Sequence, residues 1–299
     1  MKTNRRLRGR VYRILSVGIV LLCALLFLFP MYWILTGAFK TAQEINTNTP
    51  VWFPREWTSR NFQALMSGRS VYLFELEIGN TVFRGPRIPA ALRWLGNTVL
   101  LSGAAMLLTC LTAAMAGYVL AKKRFYSRRL LFSLIVCAMA LPKQVILIPL
   151  LRQMGSLNLH DSLWAVILPI VGWPFGVFLL KQFAQGIPTE ILEACRMDGA
   201  GEWQTFRDIV LPMLRPGLGA CAIFTFINAW NEYFMQLIML TSTENMTISL
   251  GVATMQGEHT TDFGLLMAGS ALASVPILTV FLIFQKYFTK GITLGAVKG

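Results

Sequence analysis

Charge is scarce in this chain: only 14% of its 299 residues are Asp, Glu, Lys or Arg, whereas 55% are hydrophobic. Soluble domains of this length rarely carry so little charge, so a membrane class is favoured before any motif is considered. Histidine is almost missing. His160 and His259 lie about a hundred residues apart and give a histidine-based catalytic or zinc cluster little to build on, so both read as turn or surface residues. The five cysteines (Cys23, Cys110, Cys137, Cys195, Cys221) show no CxxC spacing, and four fall inside apolar stretches, where a thiol behaves as a small hydrophobe. Neither a disulfide nor a metal site is expected, and no cofactor is implied. Acidic residues are also few, 14 against 27 Lys and Arg, for a net charge of +13. That excess suits either nucleic acid or a bilayer, and the positions of the charges decide between them.

What the chain has in quantity is long apolar runs. Stretches long enough to cross a hydrocarbon core need about 20 residues at roughly 1.5 Å per residue. They occur at 14–37, 94–121, 129–151, 162–181, 215–240 and 264–286. The first holds fourteen Leu, Ile, Val and Phe between Ile14 and Leu35. At about −0.3 to −0.6 kcal/mol each, it inserts by several kcal/mol. Its apolar region is too long for a cleavable signal peptide and no A-x-A site follows, so an uncleaved anchor is expected. The fold class expected is therefore all-α, a polytopic bundle of six transmembrane helices with no separate soluble domain. Pro142 and Pro149 in the third span, and Pro169, Gly172, Pro174 and Gly176 in the fourth, predict kinks. In lipid the carbonyls freed there must be met by neighbouring helices or by a water-filled cavity.

The charges then orient the bundle. Residues 1–13, 122–129, 181–215 and 286–299 carry eighteen Lys and Arg, and the alternate connections carry nine over longer segments. Both termini are thus expected in the cytoplasm of a multi-pass cell-membrane protein. Topology accounts for the basic charge, and a nucleic-acid partner loses its support. The organisation expected is a basic N-terminus at 1–13, a first helix at 14–37, an extracytoplasmic segment at 38–93, a permease core at 94–287 and a tail at 288–299. The outer segment reads as an irregular cap with some interfacial helix, and Trp52, Trp57 and Trp94 suit the bilayer–water interface.

The most informative stretch runs from Gly186 to Pro216. Pro188 suits a first helical turn, and Glu190 and Glu193 suit the positive end of the dipole. Ile187, Ile191, Ala194 and Cys195 then fall on one apolar face, with Gly199 as a left-handed cap. A second helix with Trp203, Phe206, Ile209 and Val210 at helical spacing is expected to end before Pro212 and Pro216. Helices this short are not stable alone, so each packs on a partner surface or on its own bundle.

Within this stretch Glu193, Ala194 and Cys195, then Asp198, Gly199 and Ala200, then Ile209, Leu211 and Pro212 resemble the EAA loop of binding-protein-dependent ABC importer permeases. Cys195 replaces the second Ala of the usual pair, a change of similar size. "RWLGNT" and "AGYVLAK" at the two ends of the second span, "WNEYF" at 230–234, "DFGLLMAGS" at 262–270 and the terminal "GITLGAVKG" are similar to the carbohydrate-uptake branch, which includes the maltose and glycerol-phosphate permeases. The resemblance runs from Pro30 onward and is weakest at about 67–93. It implies a half-transporter that pairs with a second permease subunit, two ATP-binding subunits and an extracytoplasmic solute-binding protein. It implies further that the coupling helix around Glu193 to Gly199 seats on the ATPase, whose closure shifts the bundle from inward- to outward-facing. The chain has no GxxxxGK[ST] of its own, so the nucleotide belongs to another polypeptide and the chain is not expected to be an enzyme. The resemblance implies a sugar as solute, with polyol derivatives such as glycerol phosphate open.

Polar groups inside spans are functional candidates. Asn228, Asn231 and Glu232 fall at i, i+3 and i+4, where they meet either a hydroxylated solute or the partner permease. Lys143 is expected to snorkel near the outer end of its span. The Thr-rich segment 241–262, free of Lys and Arg, reads as an exposed loop or as a surface for a binding protein. A secondary transporter would need ionisable relays and usually inverted repeats; a membrane enzyme would need a titratable cluster. Neither pattern is evident.

Overall fold

The computed structural model describes residues 2–78, 81–256 and 262–296. His259 and positions 297–299 of the terminal motif lie outside them. The chain forms two compact units, Met1–Arg69 with Val252–Leu272, and Ser70–Gly251 with Ala273–Gly299.

The first unit begins with α1 (Lys2–Gly37), whose apolar residues such as Leu21, Leu25 and Phe27 are exposed, as a lipid-facing helix requires. Two short helices follow, α2 (Ala42–Ile45) and α3 (Arg60–Ser67). A capping box opens α2: Thr41 Oγ1 accepts from Glu44 N, and Glu44 Oε2 accepts from Thr41 N at 3.0 Å. The other Glu44 oxygen accepts from Arg55 N at 2.6 Å, so one carboxylate pins both ends of the loop. These backbone donors, Thr41 first and Arg55 next, hold Glu44 below the usual carboxylate range. Trp52 and Trp57 are exposed, as an interfacial position requires.

The second unit opens on four short strands, β1 (Ser70–Tyr72), β2 (Glu75–Ile78), β3 (Thr81–Arg84) and β4 (Arg87–Pro89). They form two antiparallel ladders, β1 with β4 (Val71 opposite Ile88) and β2 with β3 (Leu76 opposite Phe83). The chain is therefore not purely α. Residues with β-branched and aromatic side chains, alternating with polar ones, pair here where an irregular cap was expected.

Helices make up the rest: α4 (Ala90–Lys122), α5 (Arg128–Ala138), α6 (Lys143–Ser156), α7 (Leu163–Val171), α8 (Phe175–Gln185), α9 (Thr189–Met197), α10 (Glu202–Thr205), a π-helical turn (Phe206–Val210), α11 (Leu211–Met213), α12 (Arg215–Trp230) and α13 (Tyr233–Met239). Two more, α14 (Ile248–Thr254) and α15 (Phe263–Ala296), contribute residues to both units.

Among the described residues, four helical segments are long and apolar enough to cross a membrane: Tyr12–Gly37, Ala90–Lys122, Leu163–Gln185 and Phe263–Gln285. The number rises to six if each of two bent pairs counts as one span: α5 with α6, bent by 105°, and Glu202–Met213 with α12, bent by 75°. The proline in the third span thus produces a break rather than a kink. Pro142 is the N-cap of α6, whereas Pro149 lies inside that helix without interrupting it.

α4 is the axis of the second unit and packs on α7, α8 and α12. Its buried face is built of small residues, among them Ala105, Thr109, Ala113, Ala114 and Gly117, which let neighbouring backbones approach. A Cβ at Gly176 of α8 would stand 2.9 Å from Thr109 Cγ2, so only glycine fits that crossing.

Trp94 corrects the interfacial expectation: it is fully buried, and its indole N–H donates to Thr243 O at 2.7 Å. Its neighbours in the "RWLGNT" motif do similar work. Asn97 Nδ2 donates to Glu244 O (2.7 Å) and Met246 O (2.9 Å), and Thr98 Oγ1 accepts from Ile248 N (2.9 Å). The 241–248 segment is therefore not an exposed loop, because the head of α4 satisfies its backbone and Met246, Thr247 and Ile248 are buried.

Candidate functional site

The segment 186–216 begins as its sequence suggests. Pro188 is the N-cap of α9 and contributes no donor to be satisfied. The helix ends in a Schellman motif: Ala200 N–H donates to Cys195 O (2.9 Å), Gly199 N–H donates to Arg196 O (3.0 Å), and Gly199 has φ +79°. Cys195, Gly199 and Ala200 thus act through their backbone as a stop signal, with Asp198 as the C-cap.

The apolar face differs from the expected one. Ile187 and Leu192 are buried and Cys195 is half-buried, whereas Ile191 and Ala194 are exposed. Because the helix starts only after Pro188, Ile187 is not in phase with it, and Leu192 takes the inward position. Ile187 and Leu192 join Phe206, Val210 and Leu214 in a core with Tyr118 and Ala121 of α4 and Leu180 and Ala184 of α8. Lys122 Nζ donates to Ile187 O and Gln185 O, and Lys123 pairs with Glu202. The outward side carries Glu190, Glu193, Ala194 and Met197, the last 89% exposed.

The second expected helix does not stop before Pro212. It passes through the π-helical turn Phe206–Val210 and α11 into α12, with Pro212 and Pro216 in the first turns of α11 and α12. Each proline occupies a position where no intrahelical donor is required, so a bend replaces the stop. Phe206 and Val210 are buried, Ile209 and Leu211 half-buried, and Trp203 is exposed.

The polar residues of the fifth span lie elsewhere in the same unit. α12 ends at Trp230, so Asn231 is its C-cap and Glu232 lies past its end; the three residues do not share one helical face. Asn228 Nδ2 and Asn231 Nδ2 donate to Phe224 O (2.8 Å) and Ile227 O (2.9 Å), while both residues remain exposed. Glu232 instead meets a residue that the sequence assigned to snorkelling. Lys143 Nζ lies 2.9 Å from Glu232 Oε2 and 5.1 Å from the centre of the Trp173 ring.

Those three residues come from three interruptions in helices. Lys143 follows the α5–α6 break, Trp173 lies in the α7–α8 break, and Glu232 lies between α12 and α13. A cleft of about 160 Å³ opens beside them, lined by Lys143 and Trp173 together with Thr109, Phe175, Phe224 and Asn228. The Phe175 and Phe224 rings lie 4.1 Å apart along it, tilted by 34°. Thr109 Oγ1 is buried there without a hydrogen-bond partner among the described residues. Aromatic faces beside an ion pair suit a polyhydroxylated guest, which offers C–H faces and many donors. Sequence reasoning missed Trp173 and Thr109. The Gly-Trp-Pro sequence at a helix break was the available signal for the first; an ordinary-looking Thr inside an apolar helix gave none for the second.

A helical chain with several apolar spans, interrupted helices around a largely apolar cleft with an ion pair at its edge, and an anchored amphipathic excursion defines a multi-pass membrane transport protein. Comparisons agree. Residues 111–294 match the family described as binding-protein-dependent transport system inner membrane component. The chain is 32% identical over 292 residues, 97% of each protein, to the arabinooligosaccharides transport system permease protein AraQ of Bacillus subtilis (strain 168). It shares its fold with a chain of a bacterial ABC transporter involved in import of the acidic polysaccharide alginate, with a TM-score of 0.76, 18% identity and coverage of 93% and 97% of the two chains. A second structure, of a bacterial alginate ABC transporter in complex with an alginate pentasaccharide-bound periplasmic protein, aligns with a TM-score of 0.57 at 15% identity over 92% of this chain and 94% of that one. The chain belongs to the binding-protein-dependent transport system inner membrane component family. It is a permease subunit of an ATP-binding-cassette importer and not itself an enzyme.

Proposed function

We propose that the chain is one half of the translocation path of a sugar importer, assembled with a second permease subunit, two ATP-binding subunits and an extracytoplasmic solute-binding protein. Each bent pair counts as one span in this reading, giving six. The termini are cytoplasmic, following the charge distribution, and the organisation is 1–13, 14–37, 38–93, 94–287 and 288–299 as drawn from the sequence. The solute is an oligosaccharide or related polyol, in keeping with the arabinooligosaccharide and alginate systems named above.

Segment 186–216 serves as the EAA coupling loop. One observation carries this: the inner side of α9 is anchored in the subunit's own core while its outer side leaves Glu193, Ala194 and Met197 to solvent. A short helix held rigidly from behind transmits force from a partner seated in front. Ile209, Leu211 and Pro212 extend the same lever into α12, at whose far end Asn228 lines the cleft, Glu232 pairs with the cleft residue Lys143, and Asn231 caps the helix between them.

The test is reconstitution of the complex with its ATP-binding subunits and binding protein in proteoliposomes. Uptake should require ATP and survive collapse of the proton gradient. Uptake by this chain without ATP-binding subunits would instead establish a secondary transporter.

A further inference from the structure

A second cavity, about 240 Å³ and separate from the cleft, lies where α4 ends, α5 begins and α8 approaches its end; it is lined by Leu120, Arg128, Arg129, Phe132 and Lys181. Three of its five lining residues are cations, and the lining includes no carboxylate. Lys123 nearby is paired with Glu202, but Arg129 and Lys181 form no ion pair among the described residues. Lys181 Nζ instead rests 3.9 Å from the centre of the Phe132 ring. Arg128 is partly committed, donating to Ala121 O (3.0 Å) and Lys123 O (3.3 Å) at the end of α4.

The arrangement breaks two local rules. α5 opens with Arg128 and Arg129 and has no acidic residue in its first turn, so cations stand at the positive end of the helix dipole. A third cation from another helix converges on the same place, and each disfavours the others unless an anion intervenes. Beside the cations the wall is apolar. Leu120 and Phe132 line the cavity, and Leu130, Leu131 and Leu134 of α5 are exposed, at 63%, 45% and 57%. A cationic pocket with an apolar wall, on a helix that also exposes these leucines, matches an amphiphile rather than a free ion, and cations at span ends lie at headgroup depth.

We infer that this cavity is a binding site for the phosphate headgroup of an anionic phospholipid, with Arg129 and Lys181 as its principal ligands and Phe132 against the first acyl carbons. The site lies on the same side of the bundle as segment 186–216, since Lys122 bonds to Gln185 O and Ile187 O. The lipid would therefore brace the base of that segment.

The full chain in its purified complex should be stripped of bulk lipid and analysed by native mass spectrometry with dioleoyl phosphatidylglycerol or dioleoyl phosphatidylcholine added back. One phosphatidylglycerol should be retained in preference to phosphatidylcholine. The double substitution Arg129→Gln with Lys181→Gln should weaken that adduct by roughly 30-fold, since each interfacial cation contributes about fivefold. Arg129→Lys with Lys181→Arg, which keeps both charges, should retain it and controls for misfolding. Equal retention of the two lipids, or an unchanged phosphatidylglycerol adduct in the charge-removing variant, would overturn the proposal. So would displacement of the lipid by inorganic phosphate alone, which would mark a free-anion site.

Discussion

Lys143 Nζ and Glu232 Oε2 lie 2.9 Å apart, and this single ion pair ties the start of α6 to the junction of α12 and α13. Lys143 is the first residue of α6, where the helix dipole opposes a cation, so Glu232 and the Trp173 ring supply what the helix itself withholds. The pair is partly shielded, with side-chain exposures of 33% and 13%. It is therefore worth more than a surface pair and less than a fully buried one, about 1–3 kcal/mol.

Lys143→Ala and Glu232→Gln should each lower transport severalfold, and the double substitution should cost less than the sum of the two. The charge swap Lys143→Glu with Glu232→Lys should recover part of the activity. A double-mutant cycle on uptake, with the thermal midpoint of the complex as a control for stability, reads this out; strictly additive losses would show that the pair is not functional.

The first helix of segment 186–216, proposed above as the coupling loop, ends on the backbone of Gly199. At φ +79° a β-branched side chain is strained by roughly 1–2 kcal/mol, whereas Asn tolerates the same region. Gly199→Val should leave the subunit inserted and assembled while sharply reducing solute-stimulated ATP hydrolysis; Gly199→Asn should retain most of it. Glu193→Lys, on the exposed side of α9, should reduce stimulation without any change in thermal midpoint. Unchanged stimulation in both Gly199→Val and Glu193→Lys would argue against segment 186–216 as the coupling element.

The sequence carried the apolar spans, the helix that starts at Pro188 and the left-handed cap at Gly199, because each is a local matter of period, ring closure or φ. The pairing of Lys143 with Glu232 was not legible. It spans 89 positions and depends on two helix breaks meeting, which no local pattern encodes. Trp94 was misplaced for a related reason: an aromatic near a span end ordinarily marks the interface, and here the returning chain covers it, with Thr243 O accepting from the indole and Gly251 against the ring. In α9 the error was one of phase, since counting from Ile187 instead of from the helix start rotated the expected face past Leu192.

Asn97 tests whether that returning segment needs its tether. Its amide donates to two carbonyls, Glu244 O and Met246 O, and the residue is only 5% exposed. Asn97→Leu keeps the approximate volume and removes both of these hydrogen bonds, at about 0.5–1.5 kcal/mol apiece. Asn97→Asp, which cannot donate when ionised, should be at least as destabilising. Thermal unfolding of the detergent-solubilised complex should rank wild type first and both variants several degrees below it.

Asp161 supplies the pH dependence. It adopts φ 57°, and its Oδ1 accepts from Thr241 N (2.7 Å) and Ser242 N (3.0 Å), holding the α6–α7 connection to the segment after α13. Partial burial pushes its carboxyl up, but hydrogen bonds from Ser242 and Thr241 outweigh that and leave it below the usual carboxylate range. A depressed folded-state value means that the contribution is present in full above the unfolded value, near pH 4, and is lost as pH falls through the folded one. Hydrogen exchange at the Thr241 and Ser242 amides, corrected for intrinsic rates, should therefore show constant protection from neutral pH to about pH 5 and a decline below about pH 4. Asp161→Asn keeps an acceptor and tolerates the positive φ, so it should weaken protection modestly at neutral pH and remove the acid-side decline. Asp161→Ala lacks the acceptor and is strained at φ 57°, so it should abolish protection across the range. A decline of equal size in the Asn variant would assign the acid sensitivity to another group.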